Sequence, residues 1–321
     1  MIDQIKCWPT RAGLGLFSVL IASLPGTSLL IGQEPPVTDI AFAPDGESLI
    51  ACSQKGLQVF SWPKLKLQST VKVSFANLHC LEFSPDGNQL AVGGGNPSET
   101  GGIEIFSWPE NQSKIKLFHH DDSVMSVFWQ GNHILVAASL DRLLTRWDLK
   151  TKKTVKIYQG HSRGVSSVCL LNNGEMVTAG HDQSVRVWDI ESGKLIRTLN
   201  QHTKPINSMA AWPGSTGKPM VATAAGDRTI RFWQPTIGRM MRYIRLESEP
   251  LDIAWISESQ IVASCVDGQA RLVDAENVTV LRTLPVIQGW AYAIAPHPND
   301  QTIAIAGSDG QIHRMRLQKN K

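Results

Sequence analysis

The chain has 321 residues, of which 42% are hydrophobic and 18% are charged, and its formal net charge is only +3. This length suits one large all-β domain or two ordinary domains. The near balance of charge and the lack of long Lys or Arg runs argue against a nucleic-acid-binding protein. We therefore expect no nucleic-acid partner.

The first 26 residues have the composition of a secretory signal. Lys6 and Arg11 precede the apolar run AGLGLFSVLIASL, which PGTS follows. Charged, apolar and small residues in this order are typical of a signal peptide, and the run is shorter than the roughly 20 residues of a membrane span. We expect residues 1–26 to be a signal peptide or membrane anchor and the protein to be exported (periplasmic, secreted or anchored). A buried helix, or an intracellular protein with a misplaced start site, are the alternatives.

Seven similar units follow one another along the rest of the chain. They start at Val37, Leu78, Val124, Val165, Ile206, Pro250 and Ala291, at spacings of 41, 46, 41, 41, 44 and 41 residues. Apolar residues alternate within each unit, which favours strands, and PDG or NNG sequences supply hairpin turns. A period of this length with four short strands a unit predicts an all-β, seven-bladed β-propeller over residues 27–321.

The last unit lacks residues for a fourth strand. The segment TSLLIGQEPPVTDI, from Thr27, aligns with VKIYQGHSRGVSSV, from Val155, where a fourth strand leads into the next unit. We expect Ser28 to Gln33 to close the ring by pairing with the last unit, because closure covers an open sheet edge.

Several short motifs make the chain similar to the WD-repeat β-propeller family, and to an exported bacterial-type member of it: RWD at 146–148, VWD at 187–189, FW at 232–233 and GH at 160–161. The resemblance implies a hydrogen-bonded chain of His, Ser or Thr, Asp and Trp inside a blade. Two units match it fully and a third lacks the hydroxyl, with Ala137 in its place. The matching residues are His161, Thr178, Asp182 and Trp188; His202, Thr223, Asp227 and Trp233; and His120, Asp141 and Trp147.

The stretch GHDQSVRVWD also contains the residue types of a hydrolase triad, His181, Asp182 and Ser184. Neighbours on one hairpin alternate faces and do not converge as a triad requires. The His, Ser or Thr, Asp and Trp set recurs in several units and is less complete in others, which favours a structural role. We therefore expect no catalytic residues. HHDD at 119–122 and the five cysteines lack metal-ligand spacing, and GGGNPSETGG at 93–102 lacks the Lys-Ser/Thr of a phosphate loop. We expect no metal and no cofactor.

The loops before first strands and the turns between second and third strands of a propeller share one face. That face is expected to present Lys55, Asp121, Asp122, Arg142, Arg163, His181, Lys204, Arg228 and Trp290. Arg and Trp are frequent binding anchors. We expect a non-catalytic scaffold, a monomeric propeller, that binds a protein or peptide. The alternative is a hydrolase or lyase acting at the channel mouth, which would need inward acids or histidines from several blades; the sequence shows no such set.

Overall fold

A computed structural model describes residues 34–171, 173–214 and 219–317. These residues form antiparallel β-strands and one 3-10 turn, Pro235–Ile237. The strands make seven sheets, six of four strands and one of three. The predicted all-β, seven-bladed propeller is confirmed, and each sheet is one blade.

Consecutive strands of the chain pair within a blade, so the blades follow sequence order. Blade 1 contains β1 (Asp39–Phe42), β2 (Ser48–Ser53), β3 (Gly56–Ser61) and β4 (Lys66–Val71). Blade 2 contains β5 (Asn77–Phe83), β6 (Gln89–Asn96), β7 (Thr100–Ser107) and β8 (Gln112–His120). Blade 3 contains β9 (Val124–Gln130), β10 (Ile134–Ser139), β11 (Leu143–Asp148) and β12 (Lys153–Gln159). Blade 4 contains β13 (Val165–Leu170), β14 (Glu175–Gly180), β15 (Val185–Asp189) and β16 (Leu195–Leu199).

The other three blades repeat the arrangement. Blade 5 contains β17 (Ile206–Ala211), β18 (Val221–Ala225), β19 (Thr229–Gln234) and β20 (Arg239–Arg245). Blade 6 contains β21 (Pro250–Trp255), β22 (Gln260–Cys265), β23 (Gln269–Asp274) and β24 (Thr279–Pro285). Blade 7 contains β25 (Ala291–Pro296), β26 (Thr302–Gly307) and β27 (Ile312–Arg316).

The second strand of each blade is the most apolar because it is covered on both faces. Strands β18 (VATAA) and β26 (TIAIAG) are buried along their whole length, whereas the outer strand β4 is almost fully exposed. A strand buried on both faces reads as a continuous run of small apolar residues, not an alternating one. Sheets that stack face to face around an axis therefore explain the composition of these runs.

A separate hydrophobic cluster fills each of the seven interfaces between neighbouring blades. The cluster between the last and first blades joins Ile40 and Phe42 to Ala293 and Ala295. Burying one such large side chain stabilises a fold by about 1.5–3 kcal/mol. The ring is thus closed by packing between blades 7 and 1.

The predicted signal peptide, residues 1–26, and the predicted closing strand, Ser28 to Gln33, lie outside the described residues. Beyond this segment, a backbone hydrogen bond joins the Val37 amide to the Gly307 carbonyl at 3.0 Å. Within the part of the chain that the structure describes, no helix has the length and hydropathy of a membrane span.

The glycine-rich stretch 93–102 forms the tip of a long hairpin, because β6 and β7 pair as far as Asn96 and Thr100. A Cβ at Gly101 would collide with the Asp122 carbonyl oxygen, and one at Gly94 with the Asn77 carbonyl oxygen. These glycines let the hairpin lie directly against neighbouring backbone. Close packing accounts for this stretch without a bound phosphate.

We expect Gly101→Ala to lower the free energy of unfolding by about 1–3 kcal/mol, because the methyl group has no room against the Asp122 backbone. Gly226→Ala is the matched control, since its Cβ would meet only side-chain atoms of Glu249 and Lys204 at 3.3 Å. Urea unfolding followed by tryptophan fluorescence measures both. Equal stability of the two variants would contradict the packing argument.

Candidate binding face and the polar networks beneath it

The turn between the second and third strands has the same backbone geometry in five blades. The residue after the turn aspartate has a positive φ in each: Arg142 (79°), Gln183 (69°), Arg228 (64°), Gly268 (73°) and Gly310 (71°). We call the end of the disc that carries these turns, together with the loops before the first strands, the upper face.

In blade 4 the predicted residues form one continuous hydrogen-bonded chain. Trp188 Nε1 donates to Thr178 Oγ1 at 2.9 Å, and Thr178 Oγ1 lies 2.7 Å from His161 Nε2. His161 Nδ1 lies 3.0 Å from both carboxylate oxygens of Asp182. A neutral His161 that donates from Nδ1 satisfies every member of this chain.

Blade 5 repeats the chain with nearly identical distances. His202 Nδ1 lies 2.9 Å from Asp227 Oδ2, and His202 Nε2 lies 2.7 Å from Thr223 Oγ1. Trp233 Nε1 donates to Thr223 Oγ1 at 2.8 Å. The two fully matched units therefore build the same buried network.

Blade 3 differs from the prediction, which left its network without a hydroxyl at Ala137. Thr145, on the third strand, accepts from Trp147 Nε1 at 2.9 Å and lies 2.8 Å from His120 Nε2. His120 Nδ1 lies 2.8 Å from Asp141 Oδ2, so the chain is complete. Ala137 and Thr145 face each other across the ladder. Blade 3 thus has its hydroxyl on the third strand instead of the second. This exchange can be recognised only when the pairing register of the two strands is known.

In blades 6 and 7 a side chain of the third strand binds the turn aspartate. Arg271, whose side chain is 2% exposed, donates to Asp267 from both terminal nitrogens, at 3.0 and 2.6 Å. His313 Nε2 lies 2.7 Å from Asp309 Oδ2. Both partners stand four residues after the aspartate, where blades 4 and 5 carry Arg186 and Arg231. This position could not be recognised from the sequence motifs alone.

The turn aspartates also hold the exposed loops. Asp182 Oδ2 accepts from the Ser162 amide at 2.9 Å, and Asp227 Oδ2 accepts from the Thr203 amide at 3.1 Å. In blade 3, Asp141 Oδ2 accepts from the Asp121 amide at 3.1 Å. Each carboxylate thus joins the loop before the first strand to the turn after the second.

Burial alone would raise the pKa of Asp182, but hydrogen bonds from His161, Ser184 and the Ser162 amide together hold it well below its ordinary value. Asp227 shows the same balance, and its pKa is also strongly lowered. Burial lowers the pKa of His202, although the Asp227 hydrogen bond opposes this shift. In blade 5 the network therefore stabilises an ionised Asp227 beside a neutral His202.

The triad reading of His181, Asp182 and Ser184 does not match the geometry. The hydroxyl of Ser184 donates to Asp182 Oδ1 at 2.7 Å and is buried, while the amide of His181 donates to the Gly164 carbonyl at 2.8 Å. His161, not His181, is the histidine that Asp182 binds. These contacts serve the blade network.

The structure places the candidate binding residues on the upper face with different exposures. Exposed are Lys55, Asp121, Arg142, Arg163, Lys204 and Arg228, and half-buried are Asp122, His181 and Trp290. Asp122 Oδ1 accepts from the Ser98 and Ser123 amides at 3.1 and 2.7 Å, so its side chain holds the blade 2 hairpin. Trp290 packs edge-on against Tyr292 at 6.0 Å.

The innermost strands carry polar residues that the sequence analysis missed, contrary to its expectation of no inward polar set. Asp39 Oδ2 accepts from the Leu81 amide of the next blade at 2.9 Å, and Asp252 Oδ2 accepts from the Ile294 amide at 3.0 Å. Ser208 donates to Asp252 Oδ1 at 2.6 Å. Asp39, Ser208 and Asp252 occupy the same position within their units, so the repeat spacing was the available signal. They tie neighbouring blades together near the axis.

No group of three or more His, Cys, Asp or Glu side chains within the described ranges has the arrangement of a metal site. In the HHDD stretch, His120 is engaged by Asp141 and Thr145. Among the described residues, Cys52, Cys80, Cys169 and Cys265 form no disulfide, and three of them are buried.

We expect Thr145→Val to lower the free energy of unfolding by about 3 kcal/mol, because it leaves Trp147 Nε1 and His120 Nε2 buried without a partner. Adding Ala137→Thr should recover much of this loss by returning the hydroxyl to the cross-strand position that Thr178 has in blade 4. Urea unfolding of both variants tests the exchange. A Thr145→Val protein as stable as the wild type would contradict it.

We also expect the free energy of unfolding to fall with acidification. The lowered folded-state pKa values of Asp182 and Asp227 stabilise the fold above about pH 4, and this stabilisation is lost as the pH falls further. The lowered pKa of His202 acts in the same direction below about pH 6.5, since the unfolded chain takes up the proton first. Urea titrations between pH 7 and pH 3 measure the slope, and Asp182→Asn with Asp227→Asn should flatten its acidic part. A wild type of constant stability over this range would refute the assignment.

Comparisons with known proteins find one family model and several relatives that match part of this chain. The sequence model described as "WD domain, G-beta repeat" matches residues 24–61, 152–189 and 193–234. The chain is 29% identical to WD repeat-containing protein 1 of Mus musculus over 153 residues, 46% of this chain and 24% of that protein. It is 31% identical to WD repeat-containing protein 1 of Bos taurus over 140 residues, 42% of this chain and 22% of that protein. It is 26% identical to UBP9-binding protein bun62 of Schizosaccharomyces pombe over 148 residues, 42% of this chain and 26% of that protein.

The chain therefore aligns with about a quarter of the length of each of these curated relatives. All three are eukaryotic, so they give no support to the expected bacterial, exported type. These partial matches, together with the seven blades, show that the chain is similar to WD-repeat proteins.

Proposed function

We propose that this protein is a non-catalytic scaffold whose upper face binds a protein or peptide partner. The carrying observation is that buried aspartates fix the exposed loops of blades 3, 4 and 5 through their Asp121, Ser162 and Thr203 amides. Loops held in one arrangement lose little conformational entropy when a partner binds. The upper face is thus organised before binding.

Family properties support the same proposal. WD-repeat proteins are generally protein-interaction scaffolds, and the name of the bun62 protein states a protein partner. Exposed Arg142, Arg163 and Arg228 supply a residue type that is enriched at binding hot spots. The monomeric state expected from the sequence belongs to this proposal as well.

An enzyme acting at the channel mouth is the second candidate, and one observation favours it. Burial, with the nearby charge of Asp39, raises the pKa of Glu82 on the inner strand β5 to about 8. A carboxyl that keeps its proton near neutral pH suits general acid chemistry in a hydrolase or lyase. However, both Asp39 oxygens accept backbone hydrogen bonds, from Ile40 and Leu81, which gives that carboxylate a structural task.

Export is a separate proposal. Its support is the order of Lys6, Arg11, the apolar run and the small residues that follow. The mass of the mature chain purified from its native source tests it. A loss of about 26 residues is the expected result, and a full-length chain recovered from inside the cell would refute it.

Affinity capture from the native extract tests the scaffold proposal. We expect the wild type to retain a partner that an upper-face variant, Arg163→Glu with Lys204→Glu, loses. The matched control is Lys150→Glu with Lys194→Glu, which reverses the same number of exposed charges in the third-to-fourth-strand turns of the opposite face. Loss from the control and retention by the upper-face variant would contradict the proposal. Turnover of a substrate by the purified protein, abolished by Glu82→Gln, would favour the enzyme.

A further inference from the structure

We propose that the upper face of blades 3, 4 and 5 binds an acidic peptide segment through a basic patch formed by Arg142, Arg163, Lys204 and Arg228. This inference rests on the proposed function and names the chemistry of the partner. All four side chains are exposed. They come from three consecutive blades, so they lie along one arc of the disc.

The loops that carry these side chains are in direct contact. A Cβ at Gly164, next to Arg163, would lie 2.7 Å from Leu140 Cδ2 and 3.0 Å from Leu140 Cα, in the turn that carries Arg142. The His181 amide donates to the Gly164 carbonyl, which adds the blade 4 turn to the same group. Burial and then the charge of Arg163 lower the pKa of His181, so the patch has a neutral imidazole beside its cations.

Blade 5 supplies the second half of the patch. A Cβ at Gly226 would lie 3.3 Å from Lys204 Cβ, so the Lys204 loop packs against the turn that carries Arg228. The Thr203 amide and the turn aspartate Asp227 hold the two segments together at 3.1 Å. Lys204 and Arg228 are thus fixed on the same blade.

The carboxylates near the patch are already engaged. Among the described residues, no Asp or Glu oxygen lies within 4.0 Å of a charged nitrogen of Arg142, Arg163 or Arg228. The turn aspartates beneath are bound by histidines and loop amides and are at most 8% exposed. At the border, Asp121 is exposed, and the half-buried Glu249 lies beside Gly226 and Lys204, where its carboxylate accepts a hydrogen bond from Asn207 Nδ2 at 2.9 Å.

Two cations of other blades have acidic partners. Lys55 pairs with Glu34, and Arg271 pairs with Asp267. Arg142, Arg163 and Arg228 have no such partner among the described residues, so their positive charge is not neutralised locally. An acidic segment is the complementary partner, because guanidinium groups bind carboxylates through paired, charge-assisted hydrogen bonds.

The backbone gives an independent reason to assign a function to two of these arginines. Arg142 and Arg228 occupy the positive-φ position of the turn, where blades 6 and 7 have Gly268 and Gly310. Residues with a Cβ are disfavoured there, and glycine is the residue that the backbone favours. Long cationic side chains at strained positions indicate that their charge serves something other than the fold.

Glycine substitutions at these turns test the proposal without harming the fold. We expect Arg142→Gly with Arg228→Gly to weaken binding of a fluorescein-labelled twelve-residue Glu-Ser peptide about tenfold in anisotropy titrations at low salt. The melting temperature should stay the same or rise, since glycine relieves the positive φ. Gln183→Gly is the matched control: it changes the same turn position in blade 4 without a charge and should leave the affinity unchanged.

The same titration with a Gln-Ser peptide shows whether binding depends on the carboxylates of the peptide or only on its backbone. Equal binding of the two peptides, or undiminished binding by the double glycine variant, would overturn the proposal. So would tighter binding of a twelve-nucleotide single-stranded DNA lost in the same variant, which would assign the patch to nucleic acid. If the wild type fails to bind the Glu-Ser peptide while the Arg163→Glu, Lys204→Glu protein still loses its captured partner, the scaffold function stands and the acidic-peptide inference fails.

Discussion

The buried carboxylate of the turn aspartate is the interaction on which the upper face depends. In blade 4 it meets the His161 ring, the Ser184 hydroxyl and the Ser162 amide at 2.7–3.0 Å. These contacts lie on one side of the disc and join a loop to a turn that is distant in sequence. Since an ionised carboxylate without partners is costly to bury, the network forms as a whole or not at all. Packing of the hydrophobic clusters holds the blades together as a ring, whereas hydrogen bonds to the turn aspartates position the exposed loops.

The blades meet this one requirement with different residues. Thr178 and Thr145 supply the same hydroxyl from opposite members of a cross-strand pair, and Arg271 replaces the histidine by binding its aspartate from the third strand. These blades share a hydrogen-bonded carboxylate at the turn, although the residue types that bind it differ. Blade 6 has neither the network His nor the third-strand Trp, yet Arg271 still holds its turn aspartate.

The sequence was sufficient for features that depend on local pattern and period. The seven units and the turn aspartates could be predicted because alternation, turn residues and spacing are written along the chain. Thr145 could not, because its role depends on the strand register, and it stands beside Arg146 and Trp147 like an ordinary strand residue. Asp39 and Asp252 were overlooked for a related reason: single polar residues in apolar strands acquire meaning only when the neighbouring blade's amides are placed beside them. Paired and unpaired cations on the upper face could also be distinguished only from the structure, which shows the ion pairs of Lys55 and Arg271.

The two kinds of residue on this face should respond differently to substitution. Changing Asp182 or Thr178 removes partners from buried groups, so it lowers stability and disturbs the loops together. Arg142 and Arg228 make no ion pair among the described residues and stand where the backbone favours glycine, so their replacement by glycine removes charge at no structural cost. Stability and recognition therefore occupy adjacent residues of one turn, the aspartate facing inward and the following residue facing solvent. A propeller arranged in this way can change its partner by substitution at the second position while the first remains under the constraint of burial.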